Sequence, residues 1–333
     1  MRIAFFEIQD WEQPLLEAAF VGHTLFFSKQ PLQTSDLPTL KDFEALSVFI
    51  YSHVDSEVIE ALPNLRLIAT RSTGYDHIDT AAAEARGIIV SNVPTYGEHT
   101  VAEHTFALIL ALSRNVHKSH VRRLKNDFSI EGLKGFDLKD KTIGVIGAGK
   151  IGLHVIKIAR GFGMRVLAYD AFQNHFLSDV LDFNYCSLEH LLSKSDIITL
   201  HTPYTEKTHH IINEHSIKTI KRGALLVNTA RGELVDNDAL ILALDQGILA
   251  GAGLDVIEGE QLIKEEKELL AGTKKDIDLR ELINDHNLLR RDNVVYTPHI
   301  AFYSDEALHR ILHTTIENIT CFVDGSCRNQ VTK

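Results

Sequence analysis

The chain has 333 residues, 44% of them hydrophobic and 24% charged, and carries a formal net charge of −11. That is enough chain for two domains, and the acidic balance argues against non-specific binding to nucleic acid or anionic membranes, which needs basic surface. Cys186, Cys321 and Cys327 are odd in number and fit no CxxC spacing, and the N-terminal "MRIAFFEIQDWE" has no secretory apolar region, so reduced thiols and a cytoplasmic location are expected.

In chain order, "RIAFF" reads as a strand followed by a helical Trp11–Phe20. "SVFIYS" (47–52) precedes the helical "DSEVIEAL", and "RLIATRS" precedes "DTAAAEARG", with Asp79 as the expected helix cap, and then "IIVSNV". Such alternation predicts an open parallel sheet flanked by helices. Residues Val101–Leu112 are apolar on nearly every face, which places this helix in a core or against a second subunit. Its longest apolar run, Phe106–Leu112, is too short to span a bilayer. The alternation restarts at Thr142 with "TIGVIG", "RVLAYD", "DIITLHTP", "ALLVNTA", "LAGAGLDV" and "NVVYTPH". Between Glu260 and Asp292, seven basic and nine acidic residues suggest a solvated excursion. The final amphipathic segment carries Leu308, Ile311, Leu312, Ile316 and Ile319 at helical spacing. No strand follows it, so it is expected to pack back on the first domain and make that domain discontinuous.

The string "TIGVIGAGKIG" places Gly147, Gly149 and Gly152 directly after a strand and at the opening of a helix. The first glycine permits a tight turn, the second lets backbone approach a pyrophosphate, and the third packs helix on strand. Asp170 ends the next strand, where a carboxylate accepts hydrogen bonds from ribose hydroxyls and repels a 2′-phosphate. The pattern predicts NAD in preference to NADP.

Three later strands end in chemistry-bearing residues. Arg231 follows Thr229 and Ala230 at the end of "LLVNTA", and a guanidinium there can grip a carboxylate through two parallel hydrogen bonds. "GLDVIEGE" ends in Asp255, Glu258 and Glu260, and "VVYTPH" delivers His299. In an open α/β sheet this edge is the ligand crevice.

The ordered set "GAGKIG", "HTPYTEKT", "NTARGELVD", "GLDVIEGE" and "TPHIAFY", together with "RSTGYDHID" and "NVPTYGEHTVAEH", resembles the D-isomer-specific 2-hydroxyacid dehydrogenases along essentially the whole chain. Within that family it is most similar to the fermentative D-lactate dehydrogenases, because "AFY" follows the histidine where glyoxylate and phosphoglycerate relatives have a small "GS" or "GA" run. The resemblance implies two Rossmann-like or flavodoxin-like doubly wound parallel-sheet domains separated by a cleft. Residues 1–98 with 301–333 would form the substrate domain and 99–300 the NAD-binding domain. It implies Arg231, Glu260 and His299 as the catalytic set, with histidine as the group suited to giving a proton near neutral pH. Cofactor contacts would come from Lys150 and Ile151 beside the glycines, from Asp170, and from Thr202, Pro203, Thr208, Thr229, Ala230 and Asp255. Tyr51, Thr73, Gly74, Tyr96, Arg231 and Phe302 would contact substrate. A homodimer is the expected assembly.

Departures from the family pattern are Gln261 and Leu262 after Glu260, where proline is common, the 38 residues between Glu260 and His299, and Tyr75 after the substrate-loop glycine. Alternatives are a dehydrogenase for larger or polar 2-keto acids (hydroxyisocaproate, phenylpyruvate, hydroxypyruvate or glyoxylate), or a non-catalytic NAD(H)-sensing co-repressor. His201, His209 and His210 match no common zinc spacing, and His99, Glu103 and His104 are not in HExxH order, so no metal is expected. Asp170→Ala is expected to relax discrimination against NADPH, read as the ratio of kcat/KM for the two cofactors. An unchanged ratio would show that Asp170 does not face the ribose.

Overall fold

The computed structural model describes residues 1–259 and 287–332. The chain divides into two compact units, one of Met1–Tyr96 with Ser304–Lys333 and one of Gly97–Tyr303. Each is a parallel α/β sheet, as the alternating elements predict.

In the first unit the strands are β1 (Arg2–Phe5), β2 (Thr24–Phe27), β3 (Ala45–Val48), β4 (Leu67–Thr70) and β5 (Ile89–Ser91). They pair in parallel in the order β2-β1-β3-β4-β5. β3 and β4 are buried at every position, and their near-continuous apolar runs are what a sheet covered on both faces requires. β2 is a half-exposed edge strand with no clear alternation, and its "TLFF" does not stand out in the sequence.

β3 ends at Val48, so the expected strand over 47–52 is displaced. The reason is Glu7. Its carboxylate accepts the N–H of Phe49 and of Tyr51 and the hydroxyl of Ser52, which pulls residues 49–52 out of the ladder into a loop.

Helices Ser56–Ala61 and Thr80–Ala85 are capped by Asp55 and Asp79, whose side chains accept from Val58 N–H and Ala82 N–H. The terminal helix Asp305–Val323 returns to this unit, as its amphipathic pattern predicts. Its Leu312 and Ile319 join Ile3, Phe5, Leu16 and Leu67 in one core cluster.

The second unit contains β6 (Thr142–Ile146), β7 (Arg165–Tyr169), β8 (Asn184–Tyr185), β9 (Ile197–Leu200), β10 (Ala224–Asn228), β11 (Leu249–Leu254) and β12 (Val294–Tyr296). Their order is β12-β11-β10-β9-β6-β7-β8, again parallel. The direction of winding reverses between β6 and β9, which makes the carboxyl ends of those strands the expected cofactor crevice. Helix Glu98–Ser113 packs on β10, β11 and helix Lys150–Gly161. A Cβ at Gly253 would stand 3.0 Å from Leu108, and one at Gly251 would stand 3.3 Å from Leu112, so the two strand glycines admit this helix closely. Its Val101, Phe106, Leu108, Ile109 and Leu112 are buried, while Glu103 and Ala107 are exposed. The core of the chain therefore accounts for the burial of its apolar face.

The first unit also buries an ion pair. Arg71 and Glu12 are 2% and 6% exposed, with Nη1 2.9 Å from Oε1, and the guanidinium also donates to the carbonyls of Phe6 and Glu7. Arg71→Leu strands the Glu12 carboxylate in the interior. It is expected to cost about 3–5 kcal/mol, read as a lower denaturant midpoint, and a cost under about 1 kcal/mol would place the pair in the class of exposed bridges instead.

Candidate active site

The glycine loop behaves as its spacing predicts. Gly147 has φ +96° and a Cβ there would lie 2.6 Å from the His201 carbonyl carbon, so the turn admits no side chain. At Gly152 a Cβ would lie 2.0 Å from the Gly147 oxygen, which is the close approach of helix to strand. Gly149, the N-cap of helix Lys150–Gly161, has nothing within 4 Å of a built Cβ. Open space over a helix N-terminus is what a dinucleotide's pyrophosphate needs. Lys150 and Ile151 are the first residues of that helix. Asp170 follows β7, and its Oδ2 accepts the Ala148 N–H at 2.7 Å while Oδ1 accepts the Phe172 N–H at 2.8 Å. The carboxylate is thereby tied to the glycine loop itself.

At the end of β10, buried Asn228 shapes the turn that carries Arg231. Its Oδ1 accepts the Ala230 N–H at 3.0 Å and its Nδ2 donates to the Arg231 carbonyl at 2.8 Å. Arg231 is half-buried, and its Nη1 donates to the Ala230 carbonyl at 2.8 Å. Thr229 is buried, with its hydroxyl 3.0 Å from that of Thr105.

Asp255, at the end of β11, is 1% exposed. Its Oδ1 accepts from the Thr297 hydroxyl and the Ile300 N–H, its Oδ2 from the Ala301 N–H, and its carbonyl from the His299 N–H at 2.8 Å. The Asp255 side chain thus holds the turn that follows β12. Burial opposes its charge, but His104, Thr297 and the amides of Ala301 and Ile300 outweigh that and keep its carboxyl below the usual range. His104 Nε2 is 3.5 Å from Oδ1 and 2.9 Å from the Thr297 hydroxyl, so it acts chiefly by orienting that hydroxyl.

His299 has φ +54°, a left-handed conformation that non-glycine residues seldom adopt. The Asp255 contacts on either side of it over-determine that geometry, as strained functional positions require. The half-buried ring of His299 meets the buried Phe302 ring edge-on, with centroids 6.3 Å apart. Glu260, the expected carboxylate partner, lies outside the described residues, as does most of the charged segment that follows it.

In the loop after β9, Thr202 is half-buried and Pro203 exposed, and the Thr208 hydroxyl donates to the Pro203 carbonyl at 2.8 Å. His201 is set apart from its neighbours in sequence. Its Nε2 is 2.9 Å from the Thr199 hydroxyl, its Nδ1 is sealed in, and burial pulls its pKa down to about 3. His209 and His210 instead meet Glu258, with ligand-capable atoms within 4.8 Å of one another. Both Glu258 oxygens are 2.9 Å from His210 Nε2, and the two imidazoles stack at 3.8 Å. This pair braces the turn that runs on toward Glu260.

In the first unit, Thr73 and Gly74 follow β4. The Thr73 hydroxyl donates to the Val93 carbonyl at 2.7 Å, Asn92 donates to the Thr73 carbonyl, and Ser72 Oγ donates to the Gly74 carbonyl. Tyr51 is exposed, and the Tyr96 carbonyl accepts from Arg310 Nε at 2.7 Å.

The family model for the D-isomer specific 2-hydroxyacid dehydrogenase NAD-binding domain matches residues 106–301. The chain belongs to the D-isomer-specific 2-hydroxyacid dehydrogenase family. It is similar in structure to D-lactate dehydrogenase from Aquifex aeolicus, solved with NAD and lactic acid, at TM-score 0.88 and 38% identity over 97% of this chain and 96% of that one. It is 36% identical to an aromatic 2-oxoacid reductase of Clostridium sporogenes over 93% of this chain and 92% of the relative. A glyoxylate reductase of Korarchaeum cryptofilum is 39% identical over 86% and 81%. Like its family, this dehydrogenase is an NAD-dependent oxidoreductase. No helix among the described residues is long and apolar enough to cross a membrane.

Sequence reasoning missed Asn228, His104 and the anchoring role of Asp255. A polar residue closing an apolar strand was the available signal for Asn228, whereas the donors to Asp255 lie more than forty residues away. Asp255→Asn is expected to cost about 1–3 kcal/mol, because an amide presents hydrogens to donors. Asp255's lowered pKa adds stability that is complete above about pH 4 and fades as pH falls through the lowered value. Denaturant midpoints across that acid range should therefore be less pH-dependent in the variant, and an equal slope would contradict the anchor.

Proposed function

We propose that this dehydrogenase reduces pyruvate to D-lactate, with one NADH and one proton consumed per turnover, and that it works in the cytoplasm as a homodimer. The single observation that carries the substrate reading is Phe302, a buried ring 6.3 Å from His299 on the turn anchored by Asp255. A ring at that position favours a small apolar substituent on the keto acid over a polar or phosphorylated one. Three free cysteines accord with a reducing compartment.

The glycine loop and Asp170 are suited to hold NAD(H), which supplies the hydride when bound. Arg231 binds the substrate carboxylate and polarises the adjacent carbonyl. The imidazolium of His299 gives its proton to the carbonyl oxygen as the carbonyl carbon is reduced, and takes it back in the reverse direction. Glu260 is assigned to orient that imidazolium and favour its charged form. Thr73 and Gly74 are assigned to the other carboxylate oxygen, and Tyr51 and Tyr96 to the substrate side chain. Thr202, Pro203, Thr208, Thr229 and Ala230 are assigned to the cofactor.

The names of the relatives spread over aromatic and glyoxylate substrates, so a panel of 2-keto acids ranked by kcat/KM is the test. Pyruvate should rank first, and a higher rank for phenylpyruvate or glyoxylate would overturn the substrate reading. His299→Asn should lower kcat by about 10²–10⁴-fold, the range of a lost general acid, while NADH affinity stays within about twofold. Equal loss of both would count against the proton-transfer role.

A further inference from the structure

Glu7, whose carboxylate ends β3, has no part in the catalytic scheme above. It follows β1 with φ +56°, a left-handed backbone that a glutamate holds only when its surroundings enforce it. Those surroundings are specific. Its N–H donates to the Gln30 carbonyl at 3.2 Å, and its carbonyl accepts from Arg71 Nη2 at 2.8 Å. Its carboxylate accepts only, from Phe49 N–H at 3.1 Å, Tyr51 N–H at 3.0 Å and the Ser52 hydroxyl. Ser52 is fully buried and accepts the Leu32 N–H at 3.0 Å, and the Arg71 guanidinium lies 5.6 Å from the centre of the Phe49 ring.

The place of this clamp matters. Winding in the five-stranded sheet reverses between β1 and β3, and the carboxyl ends of those two strands are Glu7's own approach and the start of the clamped loop. In open α/β sheets that reversal point is where ligands bind. A clamp made only to stabilise the sheet would not require strained backbone at that crevice. One carboxylate with three donors is also intolerant of its own amide, whose NH2 would face an N–H or a hydroxyl hydrogen.

We propose that Glu7 is a positioning residue that fixes the loop 49–52 at the switch point of the first unit and so presents Tyr51 to the side chain of the 2-keto acid. The role of Tyr51 rests on the keto-acid reading above; the clamp does not. Arg71 links this loop through Glu7 to the end of β4, from which the Ser72–Gly74 substrate loop departs.

The test is Glu7→Gln in the full chain, read in three ways. Amide exchange in the peptide spanning 47–54 should speed up while distant core peptides stay protected. The KM for the best 2-keto acid should rise about tenfold, equivalent to ~1.4 kcal/mol, with kcat and the KM for NADH changed less than about threefold. In a Tyr51→Ala background the same substitution should add little further change in KM, because the group it positions is gone. Unchanged exchange at 47–54, or a KM effect of equal size with and without Tyr51, overturns the proposal. Should Glu7→Gln not fold, Ser52→Ala removes one donor and should move exchange and KM in the same direction by a smaller amount; no movement overturns it equally. A wild-type chain that turns over no 2-keto acid overturns the keto-acid reading and the Tyr51 role with it, while exchange still decides the clamp.

Discussion

The carboxylate of Asp255 sits at the end of β11 with almost no exposed surface, and the chain that follows β12 is wrapped around it. A buried charge is costly unless every lone pair is used. Here it is offset by a hydroxyl and two backbone amides. The consequence is positional. The Thr297–Ala301 turn cannot relax without exposing that charge, so His299 keeps a left-handed backbone. The backbone geometry at His299 is therefore a by-product of satisfying one buried carboxylate.

The same economy recurs at the neighbouring strand ends. Asn228 orders the turn that carries Arg231, and Asp170 is tied to the glycine loop through the Ala148 amide. In each case a short polar side chain at a carboxyl end satisfies backbone groups that the sheet leaves unpaired. Asn228, Asp255 and His104 thus order the turns on which Arg231 and His299 sit.

What could be read from the sequence divides along physical lines. The glycine loop was legible because its constraints are local: a tight turn, an open N-terminus and one close approach, all within six residues. The parallel sheets were legible because fully buried strands read as continuous apolar runs. β2 was not, since an edge strand has only half its faces buried. The end of β3 was not legible either, because Glu7 sets it from 42 residues away. The partners of Asp255 were not legible, because its donors come from another strand end. His201 lies near His209 and His210 in sequence, and their spacing matches no common zinc site. The fold separates them, enclosing the first against Thr199 and bringing Glu258 to the other two. The discontinuous first domain was legible in a different way, from an amphipathic helix with no strand after it.

In the proposed reaction an NADH hydride and a histidine proton reach the two ends of a keto-acid carbonyl held in one orientation. Isotopically labelled transfer tests it most directly: pyruvate is reduced with NADH carrying deuterium at both C4 positions, and the product is analysed for both label and configuration. The account predicts D-lactate carrying deuterium at C2. L-lactate, a racemic product, or lactate without the label would contradict it.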